Sequence, residues 1–332
     1  MGKNTCQHLL TCFNKNNVLI CFQRLFVSIC FVSLLAVCQL FFNNNTTFNT
    51  SQSTILKNIE INKYQNSSNL PNFLIIGVRK GGTRALLDAL ALHPKIKIAR
   101  HEVHFFDKER NFRRGLDWYS KQMPKAGIDD VIIEKTPAYF TANPQVPQRV
   151  FQFNPKIKFI LIVRSPVTRT VSDFTQILQK KKERNKPTIN FEKMSFIKNC
   201  NGSVQLNKRF KPIRNSLYAE HLNRWLNYFP LKHFLILDGD KFIEDPLSQL
   251  KIAERFLGLE PSINSTQLIF NKEKNFYCFR QNLNSTVHCL GKSKGRKQIK
   301  ISSKFRRSLI EHFRPCNQKF FSLINKKFQT WE

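Results

Sequence analysis

The sequence predicts an α/β fold with a central parallel sheet flanked by helices. Short, continuous apolar runs are typical of strands that are buried on both faces of a sheet. Helical stretches alternate with these runs, which favours parallel strand connections. The predicted strands are Phe73–Ile76, Val131–Ile133, Lys158–Val163 and Phe234–Leu237. The predicted helices are Thr83–Leu92, Thr168–Lys182, Tyr218–Tyr228 and Leu247–Leu257.

Polar residues follow several of the predicted strands directly. They are residues 79–84 after the first strand, Glu134 and Lys135 after the second, and Arg164 after the third. Ligands of open parallel sheets bind at the carboxyl ends of the strands. We therefore expect the functional site at this edge of the sheet.

The charge of the chain is strongly positive. The 332 residues include 54 Lys and Arg against 22 Asp and Glu, a formal net charge of +32. Such a field attracts polyanions. Nucleic acid, an anionic membrane and a sulfated polysaccharide all fit this charge.

Residues 25–42, LFVSICFVSLLAVCQLFF, form an apolar segment of eighteen residues. This length is sufficient for one bilayer crossing. Basic residues precede it, no acidic residue occurs before Glu60, and no small-residue cleavage site follows. We therefore expect a retained signal anchor rather than a cleaved signal peptide, with a cytoplasmic tail at 1–24. Polar sequence at 43–70 predicts a flexible stem, and 71–332 a lumenal domain.

A lumenal location argues against nucleic acid as a partner. It also makes a disulfide between Cys278 and Cys289 the favoured interpretation of that pair, which brackets a short polar loop. Sequons for N-glycosylation occur at seven positions. They are Asn44, Asn45, Asn49, Asn66, Asn201, Asn264 and Asn284.

The segment GVRKGGTRALL, residues 77–87, joins the first strand to the first helix. Backbone N–H groups of such a turn, together with the helix dipole, can bind an anion. Lys80 adds a charge and Thr83 a hydroxyl. The segment matches neither the Walker loop nor G-x-G-x-x-G, which argues against a kinase. A tight turn with incidental charge is the alternative that the glycine pair alone leaves open.

With seven further segments this turn resembles the heparan sulfate glucosamine 3-O-sulfotransferases. The matching segments run in order from residue 77 to residue 296, and as a set they are specific. They are GVRKGGTRALL (77–87), EVHFFD (102–107), GLDWY (115–119), EKTPAYF (134–140), VRSPVTRTVSDFTQ (163–176), DGDKFIEDP (238–246), FYCFR (276–280) and KSKGR (292–296).

The resemblance implies a single sulfotransferase domain with a P-loop NTPase-like sheet. It implies 3′-phosphoadenosine 5′-phosphosulfate as the donor and the 3-hydroxyl of a glucosamine unit in heparan sulfate as the acceptor. No metal would be needed for the transfer. The location it implies is the Golgi membrane, as a single-pass type II protein.

The resemblance also assigns the residues that bind the donor. One group would hold the 5′-phosphosulfate, a second the 3′-phosphate, and a third would close over the donor. These residues are Lys80, Gly81, Gly82, Thr83 and Arg84; Arg164 and Ser172; and Lys294, Gly295 and Arg296.

The acceptor hydroxyl is a poor nucleophile and needs a positioned base. The residues of EVHFFD alone leave Glu102 and His104 open for this role, and the resemblance assigns it to Glu102. Lys80 and Lys135 would stabilise charge on the transferring group, and His104 and Asp107 would orient the base or bind sugar. The expected substrate contacts are Arg79, Glu102, His104, Asp107, Lys135 and Gln176, although Gln176 fits a plain helix surface nearly as well.

The chain departs from the family pattern at two places. Lys297 and Gln298 stand where a His-Pro pair is usual, and Ser165 stands where an acidic residue is usual. Two other functions stay open on the sequence. One is a sulfotransferase with another acceptor position or glycan, and the other is a catalytically silent protein that binds heparan. The intact Lys80, Glu102 and Lys135 argue against the silent protein.

Overall fold

The structure, a computed structural model, describes residues 69–273, 276–291 and 297–331. Five parallel strands form the central sheet. They are Phe73–Gly77 (β1), Ile96–Ile98 (β2), Val131–Lys135 (β3), Lys158–Val163 (β4) and Phe234–Asp238 (β7). Their order in the sheet is β2-β3-β1-β4-β7. Two antiparallel hairpins lie outside this sheet. They consist of Phe196–Lys198 (β5) with Val204–Leu206 (β6), and Leu268–Asn271 (β8) with Phe276–Phe279 (β9).

Eleven helices accompany these strands within the described residues. They are Thr83–Leu90 (α1), Glu109–Phe112 (α2), Gly115–Ser120 (α3), Gln145–Phe153 (α4), Pro166–Lys182 (α5), Phe191–Ser195 (α6), Lys211–Arg214 (α7), Tyr218–Leu226 (α8), Gly239–Glu244 (α9), Pro246–Phe256 (α10) and Ser303–Ile324 (α11). Helices α1 and α10 contribute to the apolar core on one face of the sheet. Helices α4, α8 and α11 contribute to the core on the other face.

Strand β4 shows why the apolar runs are continuous. Phe159 and Leu161 belong to one apolar core, whereas Ile160 and Ile162 belong to the core on the opposite face. Successive side chains of a strand point to opposite faces, so a strand covered on both faces needs apolar residues at every position.

The parallel sheet and the helices that flank it confirm the predicted arrangement. Each predicted strand is present, and three of the four extend by one or two residues into the polar sequence that follows. Several elements were not predicted from the sequence. They are β2, both hairpins and the helices α2, α3, α4, α6, α7, α9 and α11. Strand β2 has only three residues, which is too few to show a period.

For the residues that the structure describes, the predicted fold class is wrong in one respect, the membrane helix ahead of the domain. Across residues 69–273, 276–291 and 297–331, no helix combines the length and the apolar character needed to cross a bilayer. Even α11, which has 22 residues, interleaves lysines and arginines with its phenylalanines. Three predicted segments lie outside the described residues, namely the tail at 1–24, the span at 25–42 and nearly all of the stem at 43–70.

Cys278 and Cys289, the predicted pair, form a disulfide that closes eleven residues of chain. Cys278 lies on β9 and is buried. Residues that follow the disulfide-closed loop line a cleft described below. The cross-link therefore restrains one wall of that cleft.

We predict that Cys278→Ser lowers the free energy of unfolding by about 2–3 kcal/mol, because the cross-link restricts the unfolded chain. Urea unfolding monitored by circular dichroism measures this change. Cys200→Ser, which removes an exposed free cysteine, is the matched control and should leave stability unchanged. An unchanged midpoint for Cys278→Ser would contradict the prediction.

Candidate active site

The turn between β1 and α1 has space only for glycine at its centre. A Cβ on Gly81 would lie 2.4 Å from the carbonyl oxygen of Ile162 on β4. Gly82 has a φ of 108°, in the left-handed region that favours glycine. Lys80 is also left-handed, with a φ of 72°. The two glycines therefore let the turn lie directly against the end of β4.

Helix α1 begins directly after this turn at Thr83. No side chain caps its N-terminus, where Gly82 occupies the capping position. The first N–H groups of a helix have no partner within the helix. Together with the helix dipole they form a site for an anion such as a phosphate or sulfate. The geometry thus supports the predicted anion-binding role of residues 80–84.

Arg79 connects the turn to helix α5. Its guanidinium donates to Asp173 at 2.8 Å and to Gln176 at 3.1 Å. The buried Arg169 also donates to Asp173, at 2.9 Å, and to the carbonyl oxygen of Arg79, at 3.3 Å. Burial opposes ionisation of Asp173, but the charges of Arg169 and Arg79 outweigh it and lower its pKa. Arg79 and Gln176, both predicted to contact substrate, thus contact each other directly.

Arg84 lies on the first turn of α1. Its side chain donates to Asp88 at 2.9 Å and to the carbonyl oxygen of Arg100 at 2.9 Å. The second contact attaches α1 to the segment that carries Glu102. Arg84 therefore links the anion site to the residues predicted for catalysis.

The predicted catalytic residues converge in one cluster. The Lys135 amine donates to Glu102 at 2.7 Å. His104 lies between two carboxylates, with Nε2 at 3.6 Å from Glu102 and Nδ1 at 2.8 Å from Asp107. His104 has a φ of 54°, so the backbone turns left-handed here. Strand β3 contributes Lys135 and the loop after β2 contributes the other three residues.

Contacts within this cluster stabilise the charged forms of His104 and Glu102. The contact with Asp107, and then the contact with Glu102, raises the pKa of His104 to about 9. The contact with His104, opposed by burial and supported by Lys135, lowers the pKa of Glu102 to about 2. At neutral pH Glu102 is therefore an anion that accepts from Lys135 and faces a protonated His104.

Arg164 follows β4 and is held by Asp240, which lies on the first turn of helix α9, directly after β7. The guanidinium of Arg164 reaches one oxygen of Asp240 from Nε at 2.8 Å and from Nη2 at 2.7 Å. The other oxygen accepts the backbone N–H of Ser165 at 3.1 Å. Ser172 lies on α5, half-buried. The structure records no hydrogen bond between Ser172 and Arg164.

An open cleft of about 340 Å³ lies beside this cluster. Its lining residues are Arg84, Asp88, Arg100, His101, Glu102, Lys135, His288, Leu290 and Gly291. A larger cavity of about 620 Å³ lies at α11 and the C-terminal turn, but no predicted site residue lines it. The smaller cleft is the candidate active site because it contains the carboxylate and the buried lysine. The predicted residues Lys294, Gly295 and Arg296 lie outside the described residues.

Comparison with known proteins agrees with this geometry. The family model of the sulfotransferase domain matches residues 70–331. Over 257 residues the chain is 44% identical to the mouse heparan sulfate glucosamine 3-O-sulfotransferase 5, which covers 77% of this chain and 73% of that protein. Over 260 residues it is 38% identical to the human heparan sulfate glucosamine 3-O-sulfotransferase 6, with coverage of 78% and 73%. The chain belongs to the heparan sulfate glucosamine 3-O-sulfotransferase family.

The fold of this sulfotransferase also resembles a solved structure. The crystal structure of a sulfotransferase from Alicyclobacillus acidocaldarius superposes with a TM-score of 0.57 at 21% identity. The match covers 79% of this chain and 98% of that one. At this identity the likeness concerns the fold alone. The family match shows that the chain is a sulfotransferase enzyme, and the structural likeness shows that it has the sulfotransferase fold.

Several residues that organise this sulfotransferase site were not predicted from the sequence. Asp173 and Asp240 each hold a predicted arginine, and Asp88 holds Arg84. For Asp88 and the buried pair Arg169–Asp173 a signal was present, because residues four apart lie on one face of a helix. For Asp240 only the structure shows which arginine it pairs with, since Arg164 is 76 residues away in the chain.

We predict that Asp107→Asn lowers the pKa of His104 by about 1–2 units, because a neutral amide no longer stabilises the imidazolium. A raised histidine pKa favours the folded state only while the ring is protonated. In the wild-type sulfotransferase this contribution should therefore be lost as pH rises from about 6.5 to about 9. NMR titration of His104, with pH-dependent unfolding, measures both effects. A His104 pKa that stays near 9 in the variant would contradict the assignment.

Proposed function

We propose that this enzyme transfers a sulfuryl group from 3′-phosphoadenosine 5′-phosphosulfate to the 3-hydroxyl of glucosamine residues in heparan sulfate. The observation that carries the proposal is the cluster of Glu102, His104, Asp107 and Lys135. Its Glu102 and Lys135 line the same cleft as Arg84, on the first turn of α1. The cluster can deprotonate a hydroxyl next to an anion site. The names of the relatives at 38–44% identity support the same substrate and position.

The donor suits the residues at the end of β1. A phosphosulfate needs close approach to backbone N–H groups, and Gly81 lets the turn pack against β4 so that the first N–H groups of α1 lie at the edge of the sheet. Lys80 lies in this turn, where its charge can stabilise the bridging oxygen as the bond to sulfur breaks. Arg164, held by Asp240, can pair with the 3′-phosphate on the neighbouring strand end. Ser172, Lys294, Gly295 and Arg296 complete the proposed donor contacts.

The reaction is a displacement at sulfur. Glu102 accepts the proton of the sugar hydroxyl, and the oxygen of that hydroxyl forms a bond to sulfur. The bond between sulfur and the bridging oxygen breaks, and adenosine 3′,5′-bisphosphate leaves with the electron pair. Positioning and neutralisation of oxygen charge supply most of the acceleration in such a transfer.

His104, and after it Lys135, lowers the pKa of Glu102, and the Lys135 contact is the one for which the donor can compete. A carboxylate with a pKa of about 2 is a weak base at neutral pH. The Lys135 amine is nearly buried and donates to Glu102 at 2.7 Å. When the donor is present, its sulfuryl oxygens compete for this amine. The pKa of Glu102 then rises, so proton abstraction is coupled to donor binding.

The acceptor is a polyanion, and the cleft is built to receive one. Three cations line it against two carboxylates, which leaves an excess of positive charge. The cations are Arg84, Arg100 and Lys135, and the carboxylates are Asp88 and Glu102. The net charge of +32 raises the local concentration of such a polymer. Arg79 and Gln176, which are hydrogen-bonded to each other, are also proposed to contact the sugar chain.

We predict that Glu102→Gln lowers kcat by about 10²–10⁴-fold, because the amide cannot accept the proton. Its affinity for adenosine 3′,5′-bisphosphate, measured by calorimetry, should stay unchanged. Glu109→Gln is the matched control, since Glu109 pairs with arginines outside the cleft. Full activity of Glu102→Gln would exclude Glu102 as the base.

Disaccharide mapping of heparan sulfate after incubation with labelled donor tests the acceptor position. We expect the label on O3 of glucosamine. Label at another position would identify a related sulfotransferase with different acceptor chemistry. Absence of label, with polymer still bound, would identify a silent homologue.

We also propose that the reaction takes place in the Golgi lumen. The disulfide between Cys278 and Cys289 supports this location, since such bonds persist in oxidising compartments. Imaging of the tagged full chain beside a Golgi marker tests it. A cytosolic signal would contradict the proposal.

A further inference from the structure

A buried carboxyl lies directly behind the catalytic cluster and takes no part in the proposed chemistry. Glu134 precedes Lys135 on β3, and successive side chains of a strand point to opposite faces. Lys135 therefore reaches the cleft, whereas Glu134 enters the apolar core and is fully buried. Its Oε1 atom accepts from Thr136, whereas no hydrogen bond within the described residues reaches its buried Oε2 atom, although the hydroxyl of Tyr139 and the backbone of Val103 lie near the carboxyl. An unpaired buried oxygen destabilises a protein, so its presence calls for a functional explanation.

Thr136 connects Glu134 to the backbone of His104. The Thr136 hydroxyl donates to Oε1 of Glu134 at 2.5 Å. The hydroxyl oxygen of Thr136 in turn accepts the backbone N–H of His104 at 3.3 Å. A hydroxyl has one hydrogen and two lone pairs. Because Glu134 takes the hydrogen, a lone pair of Thr136 is available to the N–H of His104.

The neighbouring positions reinforce this arrangement. The N–H of Phe105 donates to the hydroxyl of Tyr139 at 2.9 Å. Asn111 holds the carbonyl oxygens of Val103 and His104, at 2.9 and 3.1 Å. Side chains therefore hold the peptide groups on both sides of His104.

His104 needs such restraint because its backbone is left-handed, a conformation that residues other than glycine rarely adopt. In this conformation the ring lies between Asp107 and Glu102. If the backbone relaxed to the right-handed region, the ring would leave both carboxylates. Lys135 would then be the remaining contact of Glu102 in the cluster.

We propose that Glu134 and Thr136 are positioning residues for the catalytic cluster, and that they act by holding the backbone of His104 in its left-handed turn. The inference rests on the proposed function, because it assigns the cluster a role in proton transfer. Burial raises the pKa of Glu134 to about 7, although Thr136, the backbone of Val103 and Tyr139 oppose this rise. The hydroxyl of Tyr119 also faces Glu134 from α3.

The test compares three substitutions in the full chain. Thr136→Val removes the hydroxyl while keeping the size of the side chain, and Thr136→Ser keeps the hydroxyl. Glu134→Gln keeps the shape but replaces one carboxylate oxygen by an N–H donor. Melting temperature, affinity for adenosine 3′,5′-bisphosphate, kcat, and the His104 pKa by NMR are measured for each variant.

We expect Thr136→Val to lower kcat at least about tenfold through misplacement of the cluster. Glu134→Gln should lower kcat less, because its amide oxygen can still accept the hydrogen of the Thr136 hydroxyl. Their affinity for the bisphosphate should stay within about twofold, since the donor turn lies on another strand. The His104 pKa should fall from about 9 towards 6.5. Thr136→Ser should restore kcat to within about threefold of the wild type, because the hydroxyl bridge is retained.

Two results would overturn the proposal. One is a wild-type His104 pKa and kcat in both Thr136→Val and Glu134→Gln. The other is a parallel loss of folding, bisphosphate affinity and activity in both, which would show a role in stability alone. The His104 pKa reports the geometry without reference to turnover. It therefore tests this inference even if Glu102→Gln retains activity and the base assignment fails.

Discussion

The structure of the site depends on the close approach of the β1–α1 turn to the end of β4. Gly81 lies so near the backbone of β4 that no side chain fits. From the other side, a Cβ on Gly239 would lie 2.5 Å from the carbonyl oxygen of Gly81. Two glycines, Gly81 and Gly239, thus allow their segments to pack closely at the end of β4. This packing places the start of α1, Arg164 and Asp240 at the same edge of the sheet.

Paired charges are the second principle of the site. Each of four cations predicted to bind substrates already contacts a carboxylate of the protein. The pairs are Arg79–Asp173, Arg84–Asp88, Lys135–Glu102 and Arg164–Asp240. Such pairs hold long side chains in defined positions, so less conformational entropy is lost when an anion binds. They also mean that an anionic ligand competes with a carboxylate for each cation.

Much of this arrangement could be predicted from the sequence. The apolar runs predict the parallel strands because both faces of the sheet are covered, and the glycine pair predicts the turn because no other residue fits there. The partners of the cations were not predictable in the same way. Asp240 contacts Arg164 only because β4 and β7 are neighbours in the sheet. The local pattern of apolar residues does not predict this order of strands. Nor does the sequence indicate that Glu134 and Thr136 support His104, since this contact joins segments about thirty residues apart.

The disulfide has a consequence for recognition as well as for stability. His288, Leu290 and Gly291 form part of the cleft lining, and Cys289 lies among them. The cross-link ties this wall to the β8–β9 hairpin before any sugar arrives. A preordered wall loses little freedom when a polymer docks, so it can reject a poorly shaped saccharide instead of adapting to it. Discrimination between sugar sequences then depends on a covalent bond that touches no sugar.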